Sequence, residues 1–238
     1  MLISSNPSFT ALEVLPKLLY ASGDVYVFGI AGNGVFQVQD ATAFVYVQHG
    51  SVTYNSDWTM RAKQYGCFTW GWLSYSSDAL GFIVLVTSGY RGMRSVGGEL
   101  EGTGRLKYID GCTDSLLIPP VKRGDPCLNH LHFPSKITQS PHTHPDLRLG
   151  MIARGRGECV TPFGDVPLFA GTLFVIHPKN ETTAEGLDGQ QHLVGVHSFR
   201  TTDSTMDVVA FHPSSDYGPT DEEHPMILQT QLLPKDAG

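Results

Sequence analysis

Basic residues are scarce in this 238-residue chain: 16 Lys and Arg stand against 23 Asp and Glu, a net charge of −7. They form no cluster, which argues against a nucleic-acid partner. No apolar run approaches the roughly 18 residues that a membrane helix needs. Met1–Thr10 has neither the basic residues nor the long apolar stretch of a secretory leader. The four cysteines, Cys67, Cys112, Cys127 and Cys159, include no CxxC pair, and they read as reduced, buried thiols of a cytoplasmic protein. Charged residues are only 16%, whereas there are 26 Gly and 15 Pro. That balance favours short strands joined by tight turns over long helices.

Only Ser8–Leu19 suggests a helix, with Ser8 or Thr10 as cap ahead of Leu12, Leu15 and Leu18, and Pro16 weakens it. From Asp24 onward the apolar runs are short and rich in strand formers: Val25–Ile30, Gly34–Val38, Ala43–Val47, Ser51–Tyr54, Cys67–Leu73 and Leu80–Ser88. Tyr90–Pro126 is dense in turn residues and reads as a linker carrying short strands over Arg105–Ile109 and Ser115–Ile118. Cys127–Phe133 reads as the strand that follows it.

A shift of 105 positions superposes Gly155 on Gly50, Gly171 on Gly66, and Met151-Ile152 on Tyr46-Val47. Similar strands and turns at a fixed offset suggest two copies of one β unit, divided near residue 110 into 1–110 and 111–238. The same shift sets His142 and His144 on Gln37 and Gln39. Glutamine is a poor transition-metal ligand beside imidazole, so the first copy is expected to hold no metal. Structural support, or part of a homodimer surface, is its expected role.

The chemistry concentrates at Pro141-His142-Thr143-His144-Pro145-Asp146-Leu147-Arg148. In an extended chain His142 and His144 face the same way and can reach one ion. Leu149–Ala153 continues as a strand, Gly155-Arg156-Gly157 reads as the turn ending it, and Glu158–Thr161 follows. This pattern resembles the first motif of the cupin superfamily: His, any residue, His, three or four residues, Glu, six residues, Gly. Gly155 takes the glycine position, while the Glu position falls on Arg148. Gly171–Ile176 resembles the start of the second cupin motif, and a polar insertion, Pro178–Gln191, interrupts it. His197, ahead of Phe199 and followed by the closing strand Met206–Phe211, fits the third metal-binding histidine, with His177 and His192 as competitors.

The resemblance implies an all-β, two-barrel cupin with one divalent ion on His142, His144 and His197 in the second barrel. Three-His sites lacking the carboxylate are similar to those of cupin oxygenases that use Fe(II). The same ligands also suit zinc, nickel or manganese.

Arg148 shares the parity of the two histidines, so it should point into the barrel. A guanidinium has no lone pair to offer a metal. At about 6 Å and an effective dielectric of 20, its repulsion from a divalent ion is roughly 5 kcal/mol. Either a protein carboxylate or an anionic, carboxylate-bearing substrate should offset that term. A second pair, His130 and His132, shares one face of Cys127–Phe133, with Leu131 and Phe133 on the other. Metal ligation in place of the other pair, substrate binding in a polar cavity and a hydrogen-bonded structural role are all open for this pair.

Three function classes follow. They are an Fe(II) dioxygenase of a small anionic substrate, a non-redox metal-dependent isomerase, lyase or hydrolase, and a non-catalytic small-molecule binder. The polar, acidic tail from His212 to Leu233 reads as a surface arm.

Overall fold

The computed structural model describes residues 2–231 and residue 233; the remaining residues of the expected C-terminal arm, and Met1, lie outside the described residues. Among the described residues the chain is all-β, with a single 3-10 turn at Ile109–Gly111. A six-stranded sheet of the first half runs in the spatial order Ser95–Gly97, Tyr65–Phe68, Thr42–His49, Leu80–Val86, Val25–Ala31, Leu18–Ser22. Opposite it lies a four-stranded sheet of Gly34–Val38, Gly71–Tyr75, Ser51–Tyr54 and Trp58–Arg61.

In the second half the sheet order is Leu173–Ile176, Arg148–Val160, Met206–His212, Cys127–Phe133, Thr113–Ile118 and Leu106–Lys107. Numbered along the chain from Leu18–Ser22 and from Thr113–Ile118, both sheets run fourth, third, fifth, second, first. The outer end of Arg148–Val160 leaves that sheet to pair with Val166–Phe169 and Ser198–Arg200.

Two sequence expectations give way here. Ser8–Leu19 is not a helix: Phe9–Leu12 is a strand added to the edge of Leu173–Ile176, and Leu2–Ser5 pairs outside it. Phe9 and Ala11 are fully buried while Thr10 and Leu12 are half-buried, a period of two that overrides the weak helical spacing. Gly155-Arg156-Gly157 is not a turn either, since the strand runs unbroken from Arg148 to Val160. It bends at a bulge between Ile152 and Arg154 and at Gly155, whose φ is +73°. A Cβ there would collide with the Thr205 carbonyl, so only glycine fits the bend.

The two halves share one apolar core. Phe44, Tyr46 and Phe82 of the first sheet pack against Met151, Val209 and Phe211 of the second. Phe44 and Phe211 meet edge to face, with centroids 5.0 Å apart. The opposite face of the second sheet encloses a separate core that includes Phe133, Phe174, Phe199, Val208 and Ala210. That barrel interior holds the site.

Candidate metal centre

His142 and His197 are held by the backbone before any metal is considered. They form an isolated antiparallel bridge, with His142 N donating to His197 O at 2.9 Å and His197 N donating to His142 O at 3.0 Å. The His144 carbonyl accepts from Lys179 N at 2.7 Å, which ties the second histidine to the start of the insertion. The ring centroids lie 4.5 Å apart for His142 and His197, and 5.1 Å apart for each of the other two pairs. One nitrogen from each ring lies within 4.8 Å of the other two, close enough to hold one metal ion.

The hydrogen bonds fix which nitrogen is free. His142 Nδ1 lies 2.9 Å from the Ser140 carbonyl, and His197 Nδ1 lies 2.9 Å from the Gly195 carbonyl. A carbonyl only accepts, so each Nδ1 carries the proton and each Nε2 keeps its lone pair, the state a metal requires. His197 Nε2 is buried without any partner. An orphaned acceptor of this kind is costly unless something binds it, and a metal ion fits the donor set. Burial pushes the His144 pKa down to about 3, helped by Arg148 and by the other two histidines. Burial likewise takes His197 down to about 4, against the opposing effect of its Gly195 hydrogen bond. Both are therefore neutral, as ligands must be.

Arg148 lines the same cavity and is 6% exposed. Its Nη1 donates to the carbonyls of Leu147, at 3.1 Å, and Asp146, at 3.4 Å, while its Nε is buried with no acceptor. It forms no ion pair among the described residues. The nearby Asp146 carboxylate accepts instead from the Ser214 hydroxyl. Burial lowers the Arg148 pKa, against the pull of Asp146 and other neighbours, but a guanidinium keeps its proton. A buried cation without an ion pair among the described residues therefore shares the cavity with His142 and His144. The cavity is otherwise walled mainly by apolar side chains such as Phe133, Phe174, Ile176 and Phe199.

The other histidines lie elsewhere. His130 and His132 are turned away from this cavity, which Leu131 and Phe133 line instead. Both imidazoles donate to one oxygen of Asp207, at 2.8 and 2.9 Å, and Arg154 Nε donates to the other oxygen at 3.0 Å. Burial raises the Asp207 pKa, but these hydrogen bonds and Arg154 outweigh it and hold the carboxyl low. Of the roles open for His130 and His132, this geometry is the structural one. His177 Nε2 meets Thr10 Oγ1 at 3.0 Å, and His192 pairs with Asp188 on the surface.

Gln37 and Gln39 are exposed, while Phe36 and Val38 turn toward the first barrel's core. The position matching the histidines is thus filled by apolar groups rather than by amides, because the inward parity differs by one residue between the halves.

Three polar cavity residues escaped sequence reasoning, Tyr108, Gln139 and His212. His212 was legible in principle: in Met206–His212 it shares the parity of Val208 and Ala210, and it was set aside as the start of the tail.

No protein-family model and no curated protein sequence matches the chain. Solved structures do. A cupin 2 conserved barrel domain protein from Leptotrichia buccalis is 12% identical with a TM-score of 0.56, covering 89% of this chain and 91% of its own. AerE from Microcystis aeruginosa is 13% identical with a TM-score of 0.56, covering 89% and 95%. A variant of salicylate 1,2-dioxygenase from Pseudoaminobacter salicylatoxidans is 11% identical with a TM-score of 0.54, covering 87% and 72%. Together with the all-β sheets, these matches over nearly the whole chain show that its fold is that of the cupin superfamily.

Proposed function

We propose that the chain is a metal-dependent cupin enzyme, a three-His Fe(II) dioxygenase of a small carboxylate substrate. The observation that carries this reading is the convergence of His142, His144 and His197, with the free Nε2 of His142 and His197 oriented by carbonyls behind them. A ferrous ion bound there supplies redox chemistry with dioxygen, and three protein ligands leave it positions open to substrate.

The chain's own residues do the rest. The His144 and His197 imidazoles are held neutral by burial, and the His142–His197 bridge fixes the separation of those two residues. Arg148 binds the carboxylate, because a charged, buried guanidinium without a protein partner is satisfied by an anion. The phenylalanine walls exclude bulk water, which strengthens that attraction. Salicylate 1,2-dioxygenase, a protein of similar fold, has an acid as its named substrate, which is consistent with this assignment.

Elemental analysis of protein purified without a metal-binding tag, followed by oxygen-electrode assays with small carboxylates, tests the reading. Iron near one per chain with carboxylate-dependent oxygen uptake is expected. Turnover without oxygen, on zinc, nickel or manganese, would replace it with the non-redox reading.

A further inference from the structure

We propose that His212 is a substrate-positioning residue that holds the substrate carboxylate side by side with Arg148; this rests on the carboxylate reading of Arg148 given above. The register makes the two neighbours. Leu149 pairs with Phe211 and Met151 with Val209 across the two central strands. One step further sets Arg148 opposite His212, and on its other side Arg148 pairs with Ile176. Arg148, His212 and Ile176 all line the cavity. Directly opposed side chains on one face of a sheet have Cβ atoms about 4.5–5.5 Å apart, a span that the two oxygens of one carboxylate can bridge.

Each group has donor capacity left over among the described residues. Arg148 Nε has no acceptor, and the His212 imidazole makes no hydrogen bond to the described residues. The carboxylate of nearby Asp146 is engaged by Ser214. A neutral imidazole has one N–H to donate, so Arg148 and His212 present adjacent donors with one net positive charge between them. That combination fits a single carboxylate. Facing them are the rings of Phe133, Phe174 and Phe199, against which an apolar body packs and a second charged group would be stranded. The substrate class is therefore a small monocarboxylic acid with an apolar body.

Calorimetry on the full-length protein with propanoate, butanoate and benzoate, each beside its primary amide, reads the inference directly. Wild type should prefer each acid over its amide. His212→Phe and His212→Leu, two donor-free variants of different shape, should lose about 10-fold or more in acid affinity. Their amide binding and metal content should stay at the wild-type level. His212→Gln, which restores a donor, should recover most of the acid preference, something a merely structural histidine would not do. Unchanged acid affinity in a folded donor-free variant overturns the role of His212, as does a wild type that binds amides as well as acids. Failure of the metal reading looks different: no metal and no oxygen uptake, with an acid preference that still depends on His212.

Discussion

His197 and His142 exchange both backbone hydrogen bonds, at 2.9 and 3.0 Å, although they sit in segments outside the regular strands. Two candidate ligands from distant parts of the chain are thus set in place by the backbone alone. Such a site pays little ordering entropy on binding, so metal affinity should convert efficiently into stability. At a free metal concentration about a hundredfold above Kd the gain is about 2.7 kcal/mol. For a chain of this size that is roughly 5–10 °C in Tm. Thermal melts with and without Fe(II) or Zn(II) should show the rise in wild type and none in His142→Ala or His144→Ala.

Acid should destabilise the metal-free protein over a defined window. His144 and His197 are held at about 3 and about 4 in the folded chain, against roughly 6.5 when unfolded. Between about pH 6.5 and 4 the unfolded chain therefore binds more protons than the native one, and stability rises with pH. The contribution is fully present above about 6.5 and is lost as pH falls through the window, at about 1.4 kcal/mol per pH unit for each imidazole. Urea titrations of chelator-treated protein at pH 7 and pH 5 should differ on the order of 2–4 kcal/mol. A flat profile would contradict the burial of these rings.

Arg148→Met should leave stability unchanged or raise it, because a buried cation without an ion pair is replaced by a flexible apolar chain. Carboxylate affinity should fall in the same variant. A drop of several degrees in Tm with ligand affinity intact would instead make Arg148 a structural residue.

Asp207→Asn should behave in the opposite way. It removes the carboxylate that His130, His132 and Arg154 share, and breaking a buried network of this kind costs about 3 kcal/mol. Chemical denaturation should register that loss, while metal content stays at the wild-type level because none of the four lines the metal cavity.

The legible parts of the sequence were those with a strong local signature. The strands Gly34–Val38, Ser51–Tyr54 and Cys127–Phe133 have the limits that their turn residues suggest. The paired histidines and the lone His197 converge, as their spacing within strand-like segments implies. What failed was whatever depends on parity across a bend. Nothing local distinguishes a Gln37–Gln39 face pointing outward from one pointing inward, and a one-residue difference in register decides it. His130 and His132 posed the same ambiguity, which only the partner Asp207, 75 residues or more away, resolves. Gly155 gave a correct signal of positive φ that was read as a turn, because a bulged strand and a turn ask the same of glycine.

The strand Phe9–Leu12, paired with Leu173–Ile176, bears on the order in which the molecule can be made. Ser8 reaches past that edge as well: its carbonyl accepts from His177 N, and its hydroxyl accepts from Gly195 N at 2.9 Å. Gly195 is in turn the residue whose carbonyl orients His197. Phe9–Leu12 thus waits for a strand far along the chain, with Phe9 and Ala11 lacking their burial partners until the second barrel's edge emerges. Severing the chain near residue 110 would separate Ser8 from Gly195, and so remove from the second half a brace behind the residue that orients His197.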